Sequence, residues 1–300
     1  MNRTTLPTAL LALVVLSGCG SAAENAAAPS PRGGPTVAKD KKHQFEAVKA
    51  DCMKQKGFKY VPYVSPEREA TDDERKRASG DYQAMRKFRE KYGFGVFSRH
   101  VYPKEMGNPA VKPDDPEINP NWKIQSDLSE PQMQAYRKAM DACTITAAQQ
   151  VLGLKVKSQM DYYNEQYRAV KRASAAELDS DPQLVELAAA MATCLKGKGY
   201  AISKAVPTAM ENRGQEEFLV QEDKLGRQQR DDVPDVAPPA KDDKPPMYYA
   251  PTLTPAQARP YLNKEIKAAV DDLDCGKDFY PAYYPKSSAV SRKINEQFGM

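Results

Sequence analysis

At residues 52–60 the chain reads CMKQKGFKY, and at residues 194–202 it reads CLKGKGYAI. Four of the first seven positions are identical, and two of the differences exchange like for like, Met53 for Leu195 and Phe58 for Tyr200. Upstream, Phe45 and Val48 precede Cys52, while Leu184, Leu187 and Met191 precede Cys194. Such three- and four-residue spacing is that of a buried helix face. Gly57 and Gly199 suit the left-handed position that follows a helix, with the next aromatic folded back onto the last turn. The paired lysines complement the negative helix C-terminus. The phrase therefore predicts a helix stop with a cysteine on its inner face, in preference to a basic-aromatic ligand patch.

A second pair of phrases follows the first in the same order. Residues 128–136 read LSEPQMQAY and residues 253–261 read LTPAQARPY, sharing L-[ST]-x-x-Q-x-x-x-Y. Ser129 or Thr254 can cap a helix while Gln132 or Gln257, three residues on, reaches back to complete a capping box. Cys143 follows Tyr136 by seven residues and Cys275 follows Tyr261 by fourteen. Seven residues are almost two helical turns, so both cysteines fall near the same face. The expected fold class is therefore mainly α, built from two related helical repeat units at 39–157 and 178–300, each stapled by one disulfide and carrying long loop inserts.

Four of the five cysteines take part in this pattern: Cys52, Cys143, Cys194 and Cys275. They permit three connectivities, and the repeat favours Cys52–Cys143 with Cys194–Cys275. Each bridge would close a loop worth roughly 4–5 kcal/mol in the chain-entropy account, an upper figure. With two histidines, His43 and His100, far apart and no C-x-x-C pair, a metal site is the weaker reading.

The inserts differ between the units. The first predicts a helix over 71–91, capped by Thr71 and Glu74, with Tyr82, Met85, Phe88 and Tyr92 inward. After it, GFGVFSRHVYP at 93–103 is expected to be extended, and 103–121 a long loop. A connecting helix spans 158–177, with Met160, Tyr163, Tyr167 and Val170 on one side. The second unit holds a charged helix around 211–230 and a Pro-rich stretch, 231–251, whose composition suits disorder or polyproline conformation. The chain closes on SSAVSRKINEQFGM, a short amphipathic helix.

The N-terminus locates the protein. Arg3 precedes an apolar stretch, Ala9 to Leu16, too short to span a bilayer. It ends in Leu16-Ser17-Gly18-Cys19, which resembles the bacterial lipobox, the export signal in which a diacylglycerol is joined to the cysteine that cleavage leaves first. The expectation is a signal peptide at 1–18, lipidation at Cys19 and a flexible tether over 19–38. Two or more acyl chains hold a membrane stably where one does not. Losing the signal removes only Arg3 from a formal charge of +4, and charges of both signs alternate along the rest. No concentrated basic face points to nucleic acid. A mean hydropathy of −0.69 indicates a modest core with much solvated chain.

Catalytic signatures are absent: there is no G-x-S-x-G, S-x-x-K, H-E-x-x-H or P-loop G-K-[ST]. GFGVFS lacks the third glycine of a dinucleotide loop, and no cofactor is expected. His100 alone is more often a packing residue than a general base. Asp272, Asp274 and Asp278 faintly match the spacing of a calcium loop, but the glycine is misplaced and Tyr283 stands where a bidentate Glu belongs. The run FYPAYYP at 279–285 could stack on sugar rings, although proline-spaced tyrosines also pack a chain end against a helix.

Taken together, the lipobox, C-[ML]-x-x-K-G-[FY], KYGFGV, AYRKAMDAC and EIKAAVDDLDCGKDFYPAY resemble a family of uncharacterised secreted lipoproteins of actinobacteria. The resemblance implies export and a mainly helical, disulfide-bonded ectodomain, and carries over no catalytic residue. The expectation is a lipid-anchored module at the outer face of the bacterial cytoplasmic membrane, binding or scaffolding an envelope protein or cell-wall partner. The alternative is an extracytoplasmic hydrolase acting on cell-wall material.

Overall fold

The computed structural model of the protein describes residues 35–66, 68–108, 119–238 and 247–300, with side chains from residue 41 onward. Among them are eleven helices and no strand: α1 (Pro35–Gln55), α2 (Asp72–Ala78), α3 (Tyr82–Tyr92), α4 (Ser98–Val101), α5 (Pro120–Ser126), α6 (Glu130–Leu152), α7 (Gln159–Leu178), α8 (Pro182–Gly197), α9 (Pro207–Arg227), α10 (Pro255–Cys275) and α11 (Phe279–Gln297). Cys19 and the signal lie outside the described residues, and α1 begins at Pro35, inside the stretch expected to be tether.

The doubled phrase folds twice into the same helix stop. Gly57 (φ 81°) and Gly199 (φ 89°) are left-handed. Phe58 N–H donates to Met53 O at 2.9 Å, and Tyr200 N–H to Leu195 O at 3.0 Å. Gly57 N–H reaches Lys54 O, and Gly199 N–H reaches Lys196 O, both at 3.0 Å, which completes a Schellman motif in each phrase. Its apolar contact joins the aromatic to the residue five before it, and Met53 and Leu195 are accordingly fully buried. The like-for-like exchanges thus fall on the two positions that must be apolar.

The capped helices also form as expected. Ser129 with Gln132 and Thr254 with Gln257 make capping boxes at the starts of α6 and α10. The disulfides are Cys52–Cys143, which joins α1 to α6, and Cys194–Cys275, which joins α8 to α10, each with Cα atoms 5.5 Å apart. Their settings differ. Cys143 is fully buried, whereas Cys194 is solvent-exposed, so the second bridge does not lie on an inner face.

Packing crosses the boundary that the sequence suggested between 39–157 and 178–300. One core gathers Met85 of α3, Leu184, Met191 and Leu195 of α8, Met210 of α9, Leu273 of α10, and Phe279, Tyr280 and Tyr283 of α11. A second sets Val96, Phe97 and Val101 against Phe218 of α9 and Leu262 of α10. In a third, Ile294 and Phe298 from the chain end meet Phe45, Ala147 and Tyr162. The insert of the first stretch therefore rests on the second, and the chain end rests on the first.

Several local expectations are corrected. The helix foreseen over 71–91 breaks at Gly80 (φ 81°), where a Cβ would stand 2.5 Å from the Tyr280 backbone, and Asp81 caps α3 afresh by accepting from Ala84 N. Residues 93–103 are turns and α4, not an extended segment. Gly93 (φ 63°) and Gly95 (φ 97°) bend the chain, and the amides of Val96 and Phe97 donate to Glu265 of α10, each at 2.8 Å. In the connecting helix α7, Met160, Tyr163 and Tyr167 share one side as expected, and that side faces solvent, while Tyr162 and Leu178 are buried. Of the Pro-rich stretch, 239–246 lies outside the described residues. Residues 247–251 are held on α9: Tyr249 N–H donates to Asp223 at 2.7 Å and Arg227 Nη2 to Met247 O at 2.5 Å. Gly226 admits this contact, since a Cβ there would come 1.8 Å from Tyr249 O. The closing helix starts at Phe279 and takes in FYPAYYP, whose Phe279, Tyr280 and Tyr283 are buried in packing.

Candidate functional site

Beside the first disulfide, α1, the segment 58–63, α5, α6 and the start of α7 enclose an open groove of about 720 Å³. Its construction begins with the helix stop, which turns the chain at Gly57 and lays Phe58 edge-on to Tyr136, ring centroids 5.5 Å apart. The outgoing segment is then pinned by Asn121, fully buried at the start of α5. Its side chain accepts from Val61 N and donates to Val61 O, both at 2.9 Å, as a neighbouring strand would. Asn119 caps α5 by accepting from Asn121 N at 2.9 Å and also receives the Asn121 Nδ2, which fixes that amide's orientation.

This anchoring places Tyr60, Tyr63, Tyr136 and Tyr163 along the groove, with Met160 at its rim. Lys49, nearly buried, forms an ion pair with Glu46 and lies 5.1 Å from the centre of the Tyr60 ring. Tyr60 donates to Glu46 at 2.6 Å. Burial and the neighbouring Glu46 carboxylate both push the Tyr60 phenol up, so it remains a neutral donor. The Tyr136 hydroxyl is buried beside Gln125, and burial pushes its phenol up. Tyr163 is 48% exposed and Met160 67% exposed, and Tyr167 (64%) continues the same face of α7 beyond the groove.

The other chemically notable groups are carboxylates inside the helical core. Glu265 is fully buried and accepts from two backbone amides, and burial pushes its carboxyl up to about 7. Glu222 meets His100 Nε2, Arg99 and the Tyr248 hydroxyl. Asp272 takes Arg89 at 2.7 Å and Arg213 at 3.3 Å, and also Tyr280. The three aspartates considered for calcium therefore diverge. Asp272 points into the core, Asp274 accepts from Tyr82 and Arg86 at the surface, and Asp278 precedes α11. His100 is engaged with Glu222, not with an open cleft.

Sequence pattern named Tyr136, Tyr163 and Asp272 in other roles and did not single out Tyr60, Tyr63, Glu222 or Glu265, although one signal was present. Met210, Gly214, Phe218, Glu222 and Gly226 share one face of α9, and Ala258, Leu262, Glu265, Ala269 and Asp272 follow one another on α10. An acid that occupies a core position of a helical stripe must find partners inside the fold. No comparable local signal joins Asn121 to Val61, 60 residues away.

No protein-family model matches the chain, and no curated protein or solved structure does. Among the described residues no helix is long and apolar enough to cross a membrane. No three His, Cys, Asp or Glu side chains among them gather as a metal site.

Proposed function

We propose that this protein is a membrane-anchored extracytoplasmic binding module, tethered through Cys19 at the outer face of the cytoplasmic membrane, with the tyrosine-lined groove as its recognition site. The observation that carries the reading is the groove itself: four tyrosines around about 720 Å³ of open space. Tyrosine offers large contact area with a polar tip at low entropic cost, which suits recognition of an envelope protein or cell-wall material. The two disulfides agree with an exported chain. The alternative, a hydrolase of cell-wall material, would need, for a glycosidic bond, two carboxyl groups converging on that bond. In the groove the acids are already engaged, Glu46 by Lys49 and Tyr60, and Asp141 by the amide of Gln159 at 2.9 Å.

The test places a photocrosslinking amino acid at Tyr163 in intact cells, with the same probe at exposed Glu186 of α8 as control. Discrete adducts from position 163 that the control lacks are the expected result; identical adduct patterns, or none, would sink the groove as a recognition site. For the anchor, Cys19→Ser should move the protein from the membrane fraction to the medium, and retention of the variant in the membrane would refute lipidation.

A further inference from the structure

A second cleft, remote in sequence from the groove, lies between α2, α3, α9 and α11. Its volume is about 240 Å³, below the range of ~300–1,000 Å³ usual for drug-sized ligands. Met85 and Phe88 of α3, Phe94 and Tyr284 of α11 form its walls. Glu211 on α9 also lines it, and differs from the acids of the core. Glu222, Glu265 and Asp272 each have two or more donors, whereas Glu211 has no hydrogen bond or ion pair with any described residue. Burial pushes its carboxyl up to about 7, with Arg89 opposing the rise and Asp272 and Glu216 adding to it. The phenols of Tyr283 and Tyr284 feel it in turn.

The cleft also holds an arginine with an open valence. Arg89 is committed, donating to Asp272 at 2.7 Å and to Ala269 O at 2.9 Å. Arg77, at the end of α2, stacks on Phe88 with its guanidinium 4.2 Å from the ring centre and pairs with no carboxylate among the described residues. One half-buried acid and one base packed on a ring, with Arg89 and Asp73 as their nearest opposite charges but neither in a hydrogen bond or ion pair with a described residue, thus share a small cavity with aromatic and thioether walls. A ligand that satisfies both is itself a zwitterion.

We propose that this cleft binds a free α-amino acid with an apolar side chain, the ammonium on Glu211, the carboxylate on Arg77 and the side chain between Phe88, Phe94 and Met85. A bare amine would leave Arg77 unmatched and a bare carboxylate would leave Glu211 unmatched. The cavity, at ~30 Å³ per water, has room for about eight waters, which suits a single amino acid and not a polymer.

Calorimetric titration of the full chain separates the parts of this proposal. L-leucine is compared with isopentylamine, which lacks its carboxylate, and with 4-methylpentanoate, which lacks its ammonium. L-leucine is expected to bind saturably in the millimolar range or tighter, each half-ligand about tenfold or more weakly, since one charged contact is lost. Glu211→Gln should remove the preference for L-leucine over 4-methylpentanoate, and Arg77→Gln the preference over isopentylamine. Wild-type affinity should rise with pH through about 7, as Glu211 ionises among Arg77, Arg89, Asp272, Glu216, Tyr283 and Tyr284. In Glu211→Gln that rise should vanish. Absence of saturable L-leucine binding to the wild type overturns the proposal without any variant. So does isopentylamine or 4-methylpentanoate binding as tightly as L-leucine, which would mark a simple cation or anion site.

Discussion

Replacing Glu265 by Gln should change stability by an amount that depends on pH. The carboxyl of Glu265 is fully buried, and desolvation lifts it from the ordinary 4.5 to about 7, with nearby Glu222 adding to the rise and the amides of Val96 and Phe97 opposing it. Because the folded value is raised, the stability associated with the neutral acid is fully present below about 4.5 and is lost as pH climbs through about 7. A rise of that size corresponds to ~3 kcal/mol at most. Near pH 5, Glu265→Gln swaps a neutral acid for a neutral amide whose NH₂ faces one of the two donors, an orphaned contact that costs ~1–3 kcal/mol. Near pH 8 the wild type is weakened by ionisation and the variant is not, so the gap should close or reverse. Urea unfolding followed by the helical circular dichroism signal, with the disulfides intact, measures both ends. Trp122, 59% exposed on α5, would report the transition poorly. A gap that stays constant or widens from about pH 5 to about pH 8 would refute the assignment of Glu265 as an ionisable clamp on residues 96–97.

Further outcomes follow from the same structure. Gly57→Ala and Gly199→Ala meet no neighbour within 4 Å, so each should cost only the left-handed backbone penalty of ~1 kcal/mol in urea unfolding. Gly226→Ala should cost more and release residues 247–251, seen as new protease cleavage there, because its Cβ would overlap Tyr249 O. Leu195→Ala, at a fully buried position below the second helix stop, should lose ~2–5 kcal/mol. Under brief native reduction, alkylation should label Cys194 and Cys275 before Cys52 and Cys143, since Cys194 is exposed and Cys143 is buried. Peptide mapping that found the reverse order would contradict the described burial.

Much of the fold was legible because it is set by near neighbours in the chain. A Schellman stop needs a glycine, an aromatic after it and an apolar residue five before that aromatic, all within CMKQKGF or CLKGKGY. A capping box needs two residues three apart, and Ser129–Gln132 and Thr254–Gln257 form as read. The cysteine pairing followed from the order in which these phrases recur, and Cys52–Cys143 with Cys194–Cys275 is the pairing found. Residues 93–103 show where local reading fails. Their Phe, Val and Tyr content favours extension, yet the amides of Val96 and Phe97 find their acceptor in Glu265, about 170 positions away, and most of the others in nearby carbonyls, not in a strand. The sequence places Met160, Tyr163 and Tyr167 on one side of α7 but leaves open whether that side is buried, because the helix carries aromatics on two sides and only its neighbours decide.

The sequence by itself therefore determined the mainly helical class, most helix caps and stops and the disulfide partners, since each is encoded over a few adjacent residues or in a repeated order. The tertiary structure alone decided the sites. Asn121 clasping Val61 shapes the tyrosine groove, and α2, α3, α9 and α11 converge to bring Glu211 and Arg77 to one cleft. Those groups are 60 or more residues apart, and only the packing of distant helices determines which polar atoms are matched inside the fold and which face a cleft.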